Sequence, residues 1–429
     1  MENKKIAVNA SWIMVGRVFQ LALTFITTML VSRYLGPTEY GKITYVYSYI
    51  QLFLPLCALG LNDIVVKELV DNRDKNDEII GTMAAIRVSA SIFSMVCSVL
   101  LVLALNNHPL YATIATLQSF ALLFQSFDGI MYFYQSKMLS KKSGTVYAVA
   151  YILSSLFRII GIVLKKDVKW FAFAMSFDFM MVAVLLVLTY LKDKNGFRFS
   201  FAMAKKLLNK SVYYIYAGLL VVIYGKVTDT LLLGKMVDET TVGYYGAATM
   251  LCNAWPFVLT AIIDSLSPVI IDVHKENKDE FEHKLKVLYA LVFYISTFVA
   301  IMISLFSNIA IGIVYGKDYM PASVPMKIYA WSTAFSYIGV ARTSWMQCEG
   351  KTKYETVISL FGAISSITLN YILIKNFGII GAASAAVLTQ FLTNFVFLFM
   401  LKDTRNNAKL IFDAILLKGV INKKGETHV

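Results

Sequence analysis

Charged residues are scarce in this sequence of 429 residues. Asp, Glu, Lys and Arg together make up 16% of it, against about 25% in a typical soluble domain. Hydrophobic residues make up 58%, the mean hydropathy is +0.63, and no stretch is polar enough to form a separate soluble domain. A soluble fold of this size would leave much of that apolar surface in water. The sequence therefore predicts an all-α polytopic membrane protein of about 12 transmembrane helices.

Motifs for metal, cofactor or catalytic chemistry are also scarce. The four cysteines each lie alone in or beside an apolar stretch, so we interpret them as small packing residues. His274 and His283 lie in the charged loop HKENKDEFEH, where a metal site is disfavoured. WMQCEGKT at 345–352 ends like a Walker A loop, but Trp345 replaces its first glycine and no predicted strand precedes it. We therefore expect no enzyme activity, no metal and no cofactor.

The net charge of +13 comes from basic residues scattered singly between apolar runs. They build no continuous basic face, so we expect no nucleic-acid partner and interpret them as topology signals and contacts to anionic lipids. With the N-terminus in the cytoplasm, the inner segments carry 26 lysines and arginines and the outer loops carry 8. Only KKDVK at 165–169 opposes this orientation. Both termini are therefore predicted to be cytoplasmic.

The apolar runs define the predicted spans. The first run, from Ala10 to Val31, is too long for a signal peptide and lacks a cleavage site, so it is expected to remain as a span. A bilayer core about 30 Å thick needs roughly 20 apolar residues per helix. By this criterion the spans are residues 10–32, 43–62, 79–105, 109–135, 145–164, 170–191, 211–234, 242–271, 285–314, 322–347, 355–374 and 378–401.

The spans divide into two predicted lobes of six helices, residues 1–191 and 211–401. The loop between them, 192–210, alternates aromatic and basic residues, which suits a cytoplasmic interfacial linker. The tail, 402–429, contains an amphipathic run at 408–420 that is too short to cross the membrane and includes Asp413. We expect this run to lie on the membrane surface.

The two lobes look related in sequence. LGPTEYGKITYVYSYIQLFLPL follows the first span, and MVDETTVGYYGAATMLCNAWPF stands at the corresponding place in the second lobe. Residues 134–164 likewise resemble residues 345–374, about 211 positions later. Both lobes begin on the cytoplasmic side, so the repeat is parallel and its pseudo-twofold axis runs along the membrane normal. This symmetry predicts a binding cavity between the lobes.

Polar and ionisable residues inside the spans are the candidate site residues, because an ionisable group at mid-bilayer costs about 3 kcal/mol unless it faces a wet interior. Several follow a helical spacing of three or four residues, which gives their spans a polar stripe. An alternative is that they are polar contacts between helices, with Lys226 and Asp229 neutralising each other locally. The candidate cavity residues are Arg17, Gln20, Thr24, Arg87, Asp128, Arg158, Lys226, Asp229, Asn253, Asp264 and Arg342.

Three arginines in the first lobe, Arg17, Arg87 and Arg158, have no acid one turn away. They could snorkel to the membrane interface. We favour a cationic vestibule open to the cytoplasm, because guanidinium groups match phosphate oxygens and predict a phosphorylated ligand. In the second lobe Asp264 lies between Pro256 and Pro268. That span is a candidate moving part, and its carboxylate either takes up a proton or is held by a basic residue of another helix.

At three places the chain resembles the polysaccharide-transport family of Wzx-type flippases, in the superfamily (MOP) that also holds MurJ and MATE proteins. The residues that carry the resemblance are Asn9-Ala-Ser-Trp12 before Arg17, RYLGPTEYG at 33–41 and Gly60-Leu-Asn62. The resemblance implies alternating access in a bacterial inner membrane. The implied substrate is an undecaprenyl-pyrophosphate-linked repeat unit for O-antigen, capsule or exopolysaccharide.

The resemblance leaves several questions open. Coupling to protons, sodium ions or the membrane potential is undecided, and other polysaccharide-assembly proteins are candidate partners beside membrane lipids. Three other classes compete with a flippase. They are a MATE-like ion-coupled drug exporter, which would prefer an acidic cavity, a multi-span polysaccharide polymerase, and a scaffold for an assembly complex.

Overall fold

The computed structural model describes residues 2–106, 108–274 and 276–420, and the side chains from residue 16 onward except those of residues 17, 63, 73, 213 and 226. These ranges contain helices and no strand, so the predicted all-α fold is confirmed. The helices are α1 (Glu2–Gln51), α2 (Leu54–Ala58), α3 (Asn62–Asp71), α4 (Asn76–Leu105), α5 (Pro109–Gln125), α6 (Ile130–Ser136), α7 (Ser140–Val163), α8 (Val168–Lys192), α9 (Phe201–Val222), α10 (Thr228–Met236), α11 (Glu239–Cys252), α12 (Phe257–His274), α13 (Lys278–Val314), α14 (Ser323–Cys348), α15 (Lys353–Phe391), α16 (Phe397–Met400) and α17 (Arg405–Ile415).

All twelve predicted spans fall on helices. Within the described ranges, eight helices are long and apolar enough to cross a membrane, or nine if one bent pair counts as a span. Two of the eight, Val18–Gln51 and Lys353–Met400, each cover two predicted spans. They are interrupted inside by Gly36 and Gly378, whose positive φ angles of 74° and 54° break the helical geometry. The chain is thus a multi-pass membrane protein.

Five predicted spans are not continuous α-helices. Span 109–135 contains a 3-10 turn at Ser126–Gly129 and span 378–401 contains a π-helical turn at Leu392–Val396. Span 43–62 breaks between α2 and α3, where Leu59 and Gly60 adopt left-handed backbone angles. Span 242–271 breaks between α11 and α12 just before Pro256, whose ring cannot continue a helix. Span 211–234 contains a π-helical turn at Ile223–Val227. Hydropathy measures only apolar length, so it did not predict these interruptions.

The helices form two compact units. The first comprises the chain up to Val222 together with Glu239–Gly243, and the second comprises Ile223–Asp238 and the chain from Tyr244 onward. The core of the first unit is apolar and includes Leu61, Ile79 and Phe133. The core of the second includes Leu288 and Trp345. Each unit therefore has its own buried interior.

The predicted linker, 192–210, packs on the first unit. The backbone N–H of Arg198 donates to the carbonyl of Asp77 at 3.0 Å, and the carboxylate of Glu68 accepts hydrogen bonds from Lys206 at 2.5 Å and Lys210 at 2.7 Å. Burial alone would raise the pKa of Glu68, but the two lysines hold this pKa below its ordinary value. The linker is fixed by these contacts as far as the first turns of α9.

The tail helix α17 packs on α13 of the second unit instead of lying free on the membrane surface. Its apolar face is buried with the core of that unit, including Leu410 and Ile411. The side-chain amide of Asn407 also donates to the hydroxyl of Tyr289 at 2.7 Å. The amphipathic pattern was correctly identified, but the apolar face is covered by protein.

One contact in the first unit reflects the internal repeat. The hydroxyls of Thr38 and Thr240 lie 2.8 Å apart. A Cβ on Gly41 would lie 1.7 Å from the carbonyl oxygen of Glu239, and a Cβ on Gly243 would lie 2.0 Å from the carbonyl oxygen of Pro37. Thr38 and Thr240 are separated by 202 positions in the sequence, and so are Gly41 and Gly243. The contact is reciprocal, as expected for two matching segments around a local twofold axis.

Candidate functional site

The first unit contains a cavity of about 330 Å³ with a mixed polar and apolar wall, bounded by α1, α7 and α8, which we call the first cavity. Three predicted site residues, Gln20, Thr24 and Arg158, line it. The polar stripe that the sequence predicted on α1 therefore faces this interior. The lining residues are Gln20, Thr24, Thr28, Val31, Tyr40, Ile43, Thr44, Tyr47, Tyr151, Arg158, Phe171, Met175, Asp178 and Phe179.

The charges in the first cavity form one buried ion pair. Arg158 Nη2 of α7 lies 2.5 Å from Asp178 Oδ2 of α8, with 8% and 14% of the two side chains exposed. The other carboxylate oxygen, Asp178 Oδ1, is buried and accepts no hydrogen bond from the described residues. The pair cancels the net charge of the wall but leaves one strong acceptor unsatisfied. Asp178 lies in the predicted span 170–191 but was not among the predicted site residues, because pairing with an arginine of another helix leaves no periodic signal in the sequence.

A second cavity of about 220 Å³ adjoins the first. Gln20 and Tyr151 line both, and Gln20 Nε2 donates to the Tyr151 hydroxyl at 2.5 Å. Asp128, a predicted site residue, lines the second cavity and accepts a hydrogen bond from the hydroxyl of Tyr147. The polar faces of α1 and α7 thus border a row of two cavities, with the Gln20–Tyr151 hydrogen bond between them.

Arg87 has a different environment. It is only 2% exposed, and among the described residues it is not part of the lining of either cavity. Its Nε donates to the carbonyl of Cys57 at 3.3 Å, in the last turn of α2. A helix end of this kind carries unpaired carbonyls and a partial negative charge, which a guanidinium group stabilises. Asp128 also interacts with it electrostatically, while Arg87 Nη1 is buried without a hydrogen-bond partner among the described residues.

The three arginines of the expected vestibule do not form one described cluster. The Arg17 side chain lies outside the described residues. Arg158 lies five residues before the end of α7, so in the predicted orientation it is nearer the outer face than the cytoplasmic face. Both Arg87 and Arg158 are buried, so neither snorkels to the membrane interface. The described residues thus do not join Arg87 and Arg158 in one site, and the cytoplasmic vestibule stays a prediction.

In the second unit, Arg342 is held in a closed polar network. Its Nη2 lies 2.8 Å from Glu355 Oε2, its Nε donates to Glu355 Oε1 at 3.3 Å, and its Nη1 donates to Asn394 Oδ1 at 3.3 Å. Asn394 in turn donates to Gln390 Oε1 at 3.1 Å. The predicted site residue Arg342 therefore braces α14 against α15.

Two other predicted residues of the second unit, Asp229 and Asn253, have separate environments. Asp229 accepts hydrogen bonds from the Tyr245 hydroxyl and from the backbone N–H of Thr230, while the side chain of Lys226, its expected partner, lies outside the described residues. Asn253 donates to the Tyr329 hydroxyl at 3.4 Å. These contacts favour the interpretation that Asp229 and Asn253 are polar contacts between helices.

Asp264 is exposed on α12, a helix that qualifies as a membrane span. Among the described residues no basic group of another helix contacts Asp264. This disfavours the role in which such a group holds its carboxylate and leaves proton uptake as the other predicted role. Within the same ranges, no group of three His, Cys, Asp or Glu side chains is arranged to hold a metal ion.

Comparison with known proteins identifies the family. The model of the family described as polysaccharide biosynthesis protein matches residues 6–274. The chain belongs to this family. A second family model, MatE, matches residues 215–372. The predicted relationship to polysaccharide transport proteins of the MOP superfamily is confirmed.

Two relatives from archaea match this polysaccharide biosynthesis protein. An uncharacterised membrane protein of Methanocaldococcus jannaschii, MJ1068, is 20% identical over 424 residues, covering 91% of this chain and 82% of its own length. A probable low-salt glycan biosynthesis flippase of Haloferax volcanii, Agl15, is 24% identical over 193 residues, covering 44% of this chain and 40% of its own length.

Solved structures identify the fold. An inward closed structure of the lipid II flippase MurJ aligns with a TM-score of 0.74 at 13% identity, covering 96% of this chain and 92% of that one. An inward-facing MATE multidrug transporter of the MOP superfamily aligns with a TM-score of 0.69 at 14% identity, covering 92% and 96%. At these identities the likeness concerns the fold alone, and the predicted MOP-type fold is confirmed.

Proposed function

We propose that this protein flips lipid-linked glycans across the membrane by alternating access. In its specific form, the proposal is that undecaprenyl-pyrophosphate-linked repeat units move from the cytoplasmic to the outer face of a bacterial inner membrane. The observation that carries it is a hydroxyl-rich cavity with a buried ion pair inside an apolar helical bundle, in a chain of the polysaccharide biosynthesis family. Such a cavity lets a polar headgroup leave water without entering hydrocarbon.

The membrane potential favours this direction of transport. With the cytoplasm negative, outward movement of each negative charge is favourable by about 2.3 kcal/mol per 100 mV. The pyrophosphate supplies that charge, while Gln20, Thr24, Asp128 and Arg158 are assigned to contacts with the glycan. Because Arg158 is neutralised by Asp178 and Arg87 is buried outside both cavities, we assign pyrophosphate attraction to Arg17.

Deletion of the gene tests the proposal. Undecaprenyl-linked intermediates should accumulate on the cytoplasmic face, and a plasmid carrying the wild-type chain should restore their export. Intermediates would be assigned to each face by their access to an impermeant sugar-oxidising reagent. An unchanged distribution between the two faces in the deletion strain would overturn the proposal.

A MATE-like drug exporter is the second candidate, favoured by the MatE match over residues 215–372. The two functions make opposite predictions in the same deletion strain. A flippase predicts altered surface polysaccharide with unchanged drug susceptibility, whereas an exporter predicts increased sensitivity to cationic drugs with normal polysaccharide. The neutral ion pair in the first cavity favours the flippase, since an acidic cavity would suit cationic drugs.

A further inference from the structure

We infer that the first cavity binds one neutral sugar residue of the transported glycan, with Asp178 and Arg158 as its polar anchor. The inference rests on the proposed function, which it deepens by assigning the cavity to a sugar and not to the pyrophosphate. Four features of the first cavity support this inference. They are the net charge of its lining residues, the unsatisfied oxygen of Asp178, the hydroxyl groups of its wall and its volume.

The charge balance disfavours an anion. Arg158 and Asp178 are in contact at 2.5 Å, and no other Lys, Arg, Asp or Glu stands among the described residues that line the cavity. A pyrophosphate would therefore meet a described cation that is already neutralised, beside a carboxylate. A neutral ligand meets no such repulsion.

The unsatisfied acceptor calls for a hydrogen-bond donor. Asp178 Oδ1 is buried and has no partner among the described residues, and buried carboxylate oxygens are normally hydrogen-bonded. A small rotation of the carboxylate would bring this oxygen to the cavity surface, where a sugar hydroxyl would donate to it, whereas a fully ionised pyrophosphate has only acceptors. The ligand that completes this site is thus a donor.

The rest of the wall fits a polyol. Thr24 and Thr28 lie one turn apart on α1, and both line the cavity together with the hydroxyl-bearing Tyr47. Hydroxyl groups both donate and accept, so they can match the mixed donors and acceptors of a sugar ring. The aromatic residues Tyr151 and Phe171 also line it. The negative faces of such rings attract the positively polarised C–H groups of a pyranose.

The size limits the ligand to about one ring. A volume of about 330 Å³ is at the lower end of the range of roughly 300–1,000 Å³ that small-molecule sites occupy. The Gln20–Tyr151 hydrogen bond borders it toward the second cavity. Further sugars of the glycan would have to lie outside the first cavity.

Ligand-observed NMR on the purified full-length protein in detergent tests the inference. The probes are free hexoses, N-acetylhexosamines and 6-deoxyhexoses, with inorganic pyrophosphate and sodium chloride as rival ligands. We expect saturable binding of at least one neutral sugar in the millimolar range, and no competition by pyrophosphate or by added sodium ions.

Two substitutions sharpen the test. Asp178→Asn should weaken sugar binding about tenfold and create binding of pyrophosphate, because Arg158 then lacks its counter-charge. Thr24→Val, which keeps the volume but removes one hydroxyl, should weaken sugar binding about threefold. The matched control is Thr116→Val on the exposed side of α5, whose hydroxyl bonds only the carbonyl of Ala112. It should bind sugar like the wild type.

Several outcomes would overturn the inference. Wild-type protein that binds none of the sugars, that binds pyrophosphate in competition with a sugar, or that responds only to sodium ions would contradict it. Equal sugar affinity in wild type and Thr24→Val would contradict the placement in this cavity. Failure of the sugar inference leaves the deletion phenotype unchanged, whereas failure of the proposed function appears as a normal distribution of lipid-linked intermediates.

Discussion

Each unit buries an arginine against a carboxylate, but the two pairs have different surroundings. In the first unit Arg158 and Asp178 line a cavity, and one oxygen of Asp178 has no partner among the described residues. In the second unit Arg342 contacts both oxygens of Glu355 and is bonded to Asn394 as well. A Cβ on Gly339 would lie 2.2 Å from Asn394 Oδ1, so Asn394 packs directly against the backbone of α14.

The comparison separates a binding role from a structural role for buried charge. Both arginines lie in predicted spans and both are buried, so neither hydropathy nor exposure distinguishes them. The difference lies in how many polar atoms are satisfied within the protein and in whether free space adjoins them. A satisfied network stabilises the bundle, whereas an unsatisfied one beside a cavity retains the capacity to bind.

Replacing Arg342 or Arg158 by leucine tests this contrast. These substitutions should give the largest changes in the free energy of unfolding and in export. Arg342→Leu removes the hydrogen bonds to both oxygens of Glu355 and to Asn394 and should lower the free energy of unfolding by about 3 kcal/mol. Arg158→Leu removes one hydrogen bond, to Asp178, and should cost about 1 kcal/mol, yet should abolish polysaccharide export. Thermal unfolding in detergent gives the stability and surface polysaccharide gives the activity. Equal destabilisation by the two substitutions would break the comparison.

The reciprocal contact of the repeat offers a test in which two matching positions should behave alike. Gly41→Ala and Gly243→Ala each place a methyl group within 2.0 Å of a backbone carbonyl oxygen. Each should lower the free energy of unfolding by about 2 kcal/mol, since overpacked contacts force backbone shifts. Gly225→Ala is the control, because nothing lies within 4 Å of its added Cβ. A large loss at only one of the two glycines would mean that the repeat is not symmetric here.

The linker and the tail provide a second comparison, outside the membrane spans. Glu68 is buried between Lys206 and Lys210, whereas Asp403 accepts a hydrogen bond from Tyr354 at an exposed site. Burial raises the pKa of Glu68, but the hydrogen bonds and charges of Lys206 and Lys210 together lower it by more. The pKa of Glu68 is therefore lower in the folded protein than in the unfolded chain. The resulting stabilisation is present above the unfolded value of about 4.3 and is lost as the pH falls through the lower folded pKa.

The difference between buried Glu68 and exposed Asp403 should be visible in how the free energy of unfolding depends on pH. Glu68→Gln should lower the free energy of unfolding by about 1 kcal/mol at pH 7 and remove part of the stability loss below about pH 4.3. Asp403→Asn is the matched control at an exposed site. It should change neither the free energy of unfolding at pH 7 nor the loss of stability at low pH measurably. Denaturation curves at pH 7 and at stepwise lower pH measure both. An identical pH profile for Glu68→Gln and the wild type would contradict the assigned role of the lysines.

The parts of this architecture that depend on local sequence were predictable. Most residues of each predicted span are helical, and the stripe with Gln20 and Thr24 identified one wall of the first cavity. Contacts between helices were not predictable in the same way. Asp178 and Glu355 pair with arginines 20 and 13 positions away on neighbouring helices. No helical period connects such positions, so only the tertiary fold reveals which arginine is free to bind.

Asp264 extends the comparison to a carboxylate with no described partner, and it should give the smallest effect on stability. Because Asp264 is exposed on α12, Asp264→Asn should change the free energy of unfolding by less than about 0.5 kcal/mol. Asp229→Asn, which weakens the hydrogen bonds from Tyr245 and Thr230, should cost about 1–2 kcal/mol. Parallel unfolding curves distinguish the two. If Asp264 takes up a proton during transport, Asp264→Asn should flatten the pH dependence of export while stability stays unchanged. If Asp264→Asn instead lowers the free energy of unfolding as much as Asp229→Asn does, Asp264 has a structural role in the second unit, like Arg342.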